Sequence, residues 1–571
     1  MPTLVSPPRH EGIVRSRTRI LRKYSRSQWL VALLALGLLL SLIVYPIVQV
    51  PVKAGLRDGW IEPYVRLFKD PNFYRLWGRS LMIGASAAGI AVAGGFGLGW
   101  LVVRTNVPFR NLFGYLIILP YLTSMLITAF GFATMGSPSA GWMNDLFASI
   151  GLPFRVDFYS IWGIALVLGV SNVPIAFLVM RNQLSSAGRD EEEAAQVSGA
   201  TTLRILGSVT IPLLRPAIGA AALLVFAMSL ANFSVAAVLG SAVRIDVVPT
   251  KIYIAASQYP ADWGTAAVYA MTLITFLLLI IAAQLIFESR AKVASASTSM
   301  KAPSIIELGP VARHAGAAAL MGYVLIAFVL PIASVFVISF LPYWGAPFSE
   351  LTLDTYRFVF ADPIIRMAIR NTLIIASVAA TIATLVGGMF AYAVARFSLP
   401  FGKILSAFAS SPLGLPGLII GLGYLFAYVG TPLYGTLWLP ALALLSRFMP
   451  FALRTVSANL AGVHRSQEEA ARVSGAGELR ILIRVIIPQV WPAFVGAWAV
   501  LFLIFTREVD SVVLLGGSAH IISVELYNMW RDSFIAEAAA VSVLLLAITG
   551  LVMVLLVRVM RKTGGSGLNL S

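Results

Sequence analysis

EEEAAQVSGA at residues 191–200 and QEEAARVSGA at residues 467–476 agree at eight of ten positions. Only 12% of this 571-residue chain is charged, so two clusters of acids running into paired alanines call for a common cause. The recurrence says that the chain is built twice. The fold follows from asking what surrounds each copy.

What surrounds them is apolar. The chain is 58% hydrophobic with a mean hydropathy of +0.86, and a soluble protein would carry about 25% charged residues. Runs of about 18 or more apolar residues recur, each long enough to cross a hydrocarbon core as a helix. Only helices or closed barrels satisfy every backbone group there. The 47 glycines and 30 prolines suit membrane helices, which tolerate breaks where neighbours re-satisfy the backbone. There is no cysteine, which excludes disulfides and thiolate metal sites. The four histidines, His10, His314, His464 and His520, form no ligand spacing and read as scattered loop or surface residues. No metal site is assigned. The net charge of +17 is explained by membrane topology and needs no nucleic acid.

Twelve spans are expected, near 29–50, 80–103, 112–134, 158–180, 216–240 and 263–287, then near 316–341, 371–395, 404–429, 436–457, 492–515 and 534–557. Residues 1–28 carry Arg9, Arg15, Arg17, Arg19, Arg22, Lys23 and Arg26 against Glu11 alone. The apolar run after them is too long for a signal-peptide core and lacks a small-residue cleavage site, so a retained first span with a cytoplasmic N-terminus is expected. On that topology the cytoplasmic segments hold about twice as many Lys and Arg as the outer ones, as the positive-inside rule requires. Both termini are then cytoplasmic.

The two sets of spans are copies. FKDPNFYRLWGRSLMIG at 68–84 parallels FADPIIRMAIRNTLIIA at 360–376, an offset of 292 that also pairs Arg104 with Arg396, Pro108 with Pro400 and Pro120 with Pro412. A longer outer loop in the first copy (about 135–157) drops the offset to 276. That offset pairs Pro174 with Pro450, Glu193 with Glu469, Gly199 with Gly475, Pro212 with Pro488 and Gly240 with Gly516. Six spans separate equivalents, so the repeats run parallel about an axis along the membrane normal. The fold class is an all-α polytopic membrane protein of about twelve transmembrane helices in two parallel six-helix repeats. Residues 288–315, rich in Ser and Ala and basic, form a linker.

Each decamer falls in the cytoplasmic loop after the fourth span of its half. Asp190-x-x-Glu193 and Ser466-x-x-Glu469 have capping-box spacing. Glu191, Glu192 and Glu193, with Glu468 and Glu469 in the second copy, favour the positive end of a helix dipole. Ala194-Ala195 and Ala470-Ala471 leave a smooth face open to close approach, and Gly199 and Gly475 suit a left-handed helix stop. A second short helix should follow, leading through Pro212 and Pro488 into the next span. A solvated interfacial hairpin would explain acidity in one copy. It does not explain Ala-Ala, Val-Ser-Gly-Ala and a downstream proline in both.

These residues resemble the E-A-A-x3-G-x9-I-x-L-P signature of permease subunits of bacterial ABC importers. The first copy reads Glu193-Ala194-Ala195, Gly199 and Val209-Thr210-Ile211-Pro212; the second reads Glu469-Ala470-Ala471, Gly475 and Val485-Ile486-Ile487-Pro488. The departures are Val for Ile and Ile for Leu. The resemblance implies a fused pair of type I importer permease domains. The first would cover 29–287 with its coupling loop at about 185–215, and the second 316–571 with its loop at about 461–491. Residues 1–28 would be a basic cytoplasmic segment and 288–315 the cytoplasmic linker. The implied coupling residues are Glu192, Glu193, Ala194, Ala195, Gly199 and Pro212, with Glu468, Glu469, Ala470, Ala471, Gly475 and Pro488. The implied partners are a homodimeric cytoplasmic ABC ATPase, a periplasmic or lipid-anchored substrate-binding protein and the lipid bilayer of the bacterial inner membrane. No cofactor is expected on this chain. ATP and Mg would sit on the ATPase, since no G-x-x-x-x-G-K-[ST] occurs here, and GGFGLG at 94–99 lies inside a span as a helix-packing stretch.

Charges inside spans are costly and are usually functional or paired. FTREVDSVVLLGG at 505–517 places Arg507 and Asp510 at the spacing of an ion pair on one helical face, which is a structural reading. Glu508 lacks an obvious local partner. At offset 276 it corresponds to Asn232, and Asp510 to Ser234. Polar positions related by the pseudo-symmetry axis suit a path between the halves, which is the functional reading of Asn232, Ser234, Arg507, Glu508 and Asp510. Arg447 is expected to snorkel to the interface. ANFSVAAVLG with IDVVPTKIY, and REVDSVVLLGG with ISVELYNMW, are similar to the fused ferric-iron permease group, whose relatives include carriers of 2-aminoethylphosphonate, thiamine and polyamines. A ferric cation fits Glu508 and Asp510; a phosphonate fits Arg507. An ion-driven secondary transporter can share the two-repeat plan but needs no docking motif, and a scaffold or channel would need neither.

Overall fold

The structure is a computed structural model that describes residues 26–186, 189–295, 305–396, 402–516 and 519–562. The basic segment through residue 25, the middle of the linker (296–304) and Pro400 lie outside the described residues. Among those residues the chain is helical, with one isolated bridge between Thr105 and Ile306. Ten helices are long and apolar enough to cross a membrane, or twelve if each of two sharply bent pairs is one span.

The second span, Pro71–Arg104, shows how sequence sets these elements. Asp70 caps it by accepting from the Asn72 amide at 2.9 Å, and Pro71 supplies a first residue that needs no donor. Its 34 residues reach about 51 Å at 1.5 Å each. That exceeds a ~30 Å hydrocarbon core and carries Arg104 beyond it. The eighth span, Pro363–Arg396, repeats the length. The glycine stretch expected to pack helices does so. An ideal Cβ at Gly95 would stand 2.6 Å from the Phe177 amide of the fourth span (Ile161–Ser186), and one at the equivalent Gly387 would stand 3.0 Å from the Leu453 amide of the tenth (Trp438–Ala461).

Four spans open into one wide π turn: Leu40–Val44, Leu206–Thr210, Leu325–Val329 and Leu482–Ile486. Each lies just before a proline, at Pro46, Pro212, Pro331 and Pro488. A proline has no amide to give and its ring crowds the carbonyl four residues back. A π turn relieves that crowding without ending the helix.

The halves are interlocked. The first span (Arg26–Asp58) packs on the ninth, where a Cβ at Gly423 would fall 2.8 Å from the Pro46 carbonyl oxygen. The seventh (Pro310–Ile338) packs on the third, where a Cβ at Gly131 would fall 2.4 Å from the Pro331 oxygen. Gly131 and Gly423 are equivalents at offset 292. The Tyr424 hydroxyl donates to Leu42 O at 2.8 Å, the carbonyl that a regular helix would bond to the missing amide of residue 46. The largest core cluster draws on both halves, with Phe130 and Phe233 beside Tyr424, Phe426 and Trp530.

Where the expected spans differ from the structure, the difference is at breaks. The third bends by 93° between Arg110–Leu122 and Met125–Met135, and the ninth by 114° between Phe408–Gly414 and Gly417–Tyr428. The fifth and eleventh spans do not continue to 240 and 515: their helices stop at Ala231 and Arg507.

Candidate functional site

The decamers form short helices, Arg189–Val197 and Arg465–Val473. Their ends are alike to the hydrogen bond. Gly199 has φ +79° and Gly475 φ +81°. Gly199 N donates to Gln196 O at 2.9 Å and Ala200 N to Ala195 O at 3.1 Å; Gly475 N donates to Arg472 O at 2.9 Å and Ala476 N to Ala471 O at 3.0 Å. This is the Schellman stop. Ser198 and Ser474 add hydroxyl bonds to Ala194 O and Ala470 O at 2.8 and 2.9 Å. The retained Val-Ser-Gly-Ala therefore has a local structural cause. The starts differ from the capping-box expectation. His464 precedes the second helix without a side-chain cap, and Ser466, like Asp190 in the first, lies within its helix.

The acids divide into two roles. Glu192 and Glu468, expected on the docking face, are buried. Glu192 pairs with Arg104 at 2.9 Å and accepts from Thr210 Oγ1 at 2.8 Å. Glu468 pairs with Arg396 at 2.6 Å, and Arg396 also donates to Val463 O at 2.8 Å. Each helix is thereby pinned to the far end of a long span. Duplication offered the clue, since Arg104 with Arg396 and Glu192 with Glu468 are matched pairs, but sequence spacing did not join them. Glu191 and Glu469 are exposed and Glu193 is half-buried. The outward face also carries Ala194 and Ala470 and ends in Val197 and Val473, each 90% exposed. Ala195 and Ala471 are half-buried. Pro212 and Pro488 begin the next helices after their π turns. Beside Arg104 the linker's Ile306 N donates to Arg104 O at 2.8 Å and Leu308 N to Asn106 Oδ1 at 3.0 Å.

The four breaks converge on a second site between the halves. Asn232 closes the fifth span at φ −77°, ψ 124°, and Glu508 closes the eleventh at φ −73°, ψ 125°, so the pseudo-symmetry holds in the backbone. Because the helix stops at Arg507, the expected Arg507–Asp510 pair does not form. Arg507 reaches across to the third span and donates to Tyr121 O at 3.1 Å and Thr123 O at 2.8 Å, while Ser124 donates to Arg507 O at 3.4 Å. Asp510 accepts from the Ser234 hydroxyl and from Phe233 N at 3.3 Å. Asn232 Oδ1 accepts from Val235 N at 2.9 Å, capping the short helix Ser234–Leu239. Arg447, expected at the interface, instead turns inward onto Glu508 and onto Ser511 Oγ at 2.7 Å. Gly417 leaves it room, since a Cβ there would meet Arg447 Cζ at 2.9 Å. Every charge at this junction is answered, in keeping with the cost of a bare charge in a membrane interior.

The third span starts at Arg110, beside the Arg104 end of the second, so Met125–Met135 lies on the side of its break away from the decamer helices. There the halves meet ring to ring. Phe130 stacks on Trp530 at 4.5 Å, Trp263 on Phe426 at 4.5 Å, and Phe233, Tyr253 and Tyr527 form a triangle with centroids 5.0–5.7 Å apart. Arg531 donates to Tyr253 Oη at 3.4 Å, and its hydrogen bond to Asp532 holds the guanidinium above its ordinary value. None of these rings stood out in the sequence, where aromatic residues are common.

The profile of the family described as "Binding-protein-dependent transport system inner membrane component" matches residues 85–293 and again 383–562. The ferric transport system permease protein FbpB of Actinobacillus pleuropneumoniae is 27% identical over 85% of this chain and 71% of its own. A putative ferric transport system permease protein FbpB 1 of Haemophilus influenzae is 26% identical over 84% and 76%. The spermidine/putrescine transport system permease protein PotC of Shigella flexneri is 26% identical over 39% and 86%. Among solved structures, a bacterial ABC transporter involved in the import of the acidic polysaccharide alginate aligns over 48% of this chain and 98% of its own, at 21% identity and a TM-score of 0.39. With the family profile matched twice across most of its length, the chain belongs to the inner membrane components of binding-protein-dependent transport systems.

Proposed function

We propose that this chain forms the substrate pathway of an ATP-driven importer between its two pseudo-symmetric halves. The observation that carries the reading is the matched pair of short helices, Arg189–Val197 and Arg465–Val473, each pinned by a buried ion pair and each presenting a valine that is 90% exposed. Two near-identical handles in one chain suit two copies of one ATPase subunit, hence a homodimeric ATPase. ATP and Mg would be held by that partner. Movement of the handles would pass through Arg104 and Arg396 into the long spans and open or close the junction. Both termini would face the cytoplasm, and a periplasmic or lipid-anchored binding protein would deliver cargo to the opposite face.

The cargo proposed is ferric iron. The relatives named for ferric transport align across most of the chain, and on this reading Glu508 and Asp510 would stand beside the path between halves. A polyamine is the second reading, supported by the PotC relatives. The coupling claim is tested by Glu193→Lys with Glu469→Lys in the purified membrane complex. The expected result is normal insertion, lost uptake and reduced ATPase co-purification; unchanged uptake and co-purification would overturn it. Uptake into proteoliposomes of radiolabelled Fe(III), with excess spermidine as competitor, separates the two cargos. Uptake driven by an ion gradient without ATP would return the chain to the secondary transporters.

A further inference from the structure

At the end of the first half opposite the decamer helices, the outer face on the importer reading, a polar cavity of about 440 Å³ opens between residues 66–79 and the 246–269 region. Its acids are largely committed. Asp70 caps the second span through the Asn72 amide. Asp262 caps the sixth span (Trp263–Ser295), accepting from Thr265 N at 2.9 Å and Thr265 Oγ1 at 2.7 Å, and it pairs with Arg66 at 3.6 Å. Arg75 touches only the neutral Asn72, through Oδ1 at 3.1 Å. The side chains of Arg79 and Lys251 line the cavity and make no hydrogen bond or ion pair with any described residue. The lining carries four basic side chains, Arg66, Arg75, Arg79 and Lys251, against three acids, Asp70, Asp246 and Asp262, so its net charge is positive.

The duplicate half has nothing of the kind. At the equivalent positions Arg66, Arg75 and Arg79 become Phe358, Met367 and Asn371, and the helices Val248–Ser257 and Ile522–Arg531, whose first amides donate to Ser80 and Thr372, set Lys251 against Glu525, which is bonded to His520 at 2.8 Å. Asn371 is itself committed, donating to Ala519 O at 2.7 Å. Charge present in one copy only is not a remnant of the duplicated scaffold. It also meets a need that pseudo-symmetry creates: an outer face with approximate two-fold symmetry offers an arriving partner two orientations half a turn apart. One charged cavity distinguishes them. Charge complementarity at an interface rim steers encounter and fixes register.

We propose that this cavity receives a carboxylate side chain of the extracytoplasmic binding protein and sets the orientation in which it docks. The inference rests on the importer reading above. Its test uses the full permease with its ATPase in lipid nanodiscs, titrated with the purified, substrate-loaded cognate binding protein. Arg79→Glu with Lys251→Glu should raise the half-maximal binding-protein concentration for ATPase stimulation by about tenfold or more, leaving basal ATPase and co-purification unchanged. The neutral pair Arg79→Gln with Lys251→Gln should give a smaller shift in the same direction and a weaker salt dependence than wild type. Replacing one acidic surface residue of the binding protein by Arg should restore the reversed variant. An unchanged half-maximal concentration in both variants overturns the proposal, as does an equal loss from Arg366→Glu in the second half. If the wild-type complex shows no stimulation by its binding protein, the importer reading itself falls and takes this one with it. Stimulated wild type with insensitive variants removes the cavity reading alone.

Discussion

Arg104 and Glu192 stand 88 residues apart in the chain, yet their charges meet at 2.9 Å with side chains only 2% and 9% exposed. A buried pair of this kind is costly to break from one side, because the partner left behind is a bare charge without water. Removing one member costs about 3–5 kcal/mol, whereas replacing both by apolar residues is often nearly neutral. Arg104→Met is therefore expected to lower the thermal midpoint of the detergent-purified protein more than Arg104→Met combined with Glu192→Met. A double variant as unstable as the sum of the singles would show that the pair does not act as a unit. The exposed Val197 and Val473 carry no such load, and changing them to Ser should leave that midpoint in place. The decamer was legible as a repeated handle in the sequence. Which of its acids points outward was not, because consecutive glutamates on a helix are about 100° apart and only the neighbouring span decides which faces in.

At the scale of elements, what distinguishes this chain from a plain helical bundle is where helices stop. Apolar residues lie on both sides of each break, since those beyond it, such as Val235–Leu239 and Val512–Leu515, are as apolar as those before it, so the polar residues at the break read as lying inside one span. Prolines were better guides: the π turns all precede one, and the first and seventh spans meet the opposite half at Pro46 and Pro331. The glycines facing those prolines are the test. At Gly131 and Gly423 a Cβ would intrude to 2.4 and 2.8 Å from a backbone oxygen, which no rotamer change can relieve. Overpacking of a core costs about 1–3 kcal/mol, and a fixed backbone puts these sites at the upper end. Gly131→Val and Gly423→Val should each give a protein that inserts but elutes broadly on size exclusion and is cut more readily in its loops. Gly97, whose Cβ would meet nothing within 4 Å, supplies the control, and Gly97→Val should behave as wild type. Equal behaviour of all three would mean that the cross-half contacts are not what holds the halves together.

Over the whole molecule, duplication supplied two frames and divergence gave them different chemistry. The second half brings Arg507, Glu508 and Asp510 to the junction; the first answers with Ala231, Asn232 and Ser234 and with backbone carbonyls. The halves are thus joined by bonds with one charged partner each, Arg507 to Tyr121 O and Thr123 O and Ser234 to Asp510, which are strong when desolvated and broken by a small separation. Aromatic stacks of Phe130 on Trp530 and Trp263 on Phe426 join the halves beside them. Such a junction suits a pathway that must be closed to the outside in one state and open in another, with the closing energy spread over a few bonds that an ATPase stroke can overcome. The chain contains no cysteine, so a single introduced pair reports without background. Ser234→Cys with Asp510→Cys, treated with a short thiol-specific crosslinker in the complex with its ATPase, should join efficiently without nucleotide. After ATP is trapped at the ATPase the yield should fall, and a complex joined beforehand should hydrolyse ATP without uptake. If the yield is the same with and without trapped nucleotide, the two halves do not separate at this junction, and the path must run elsewhere.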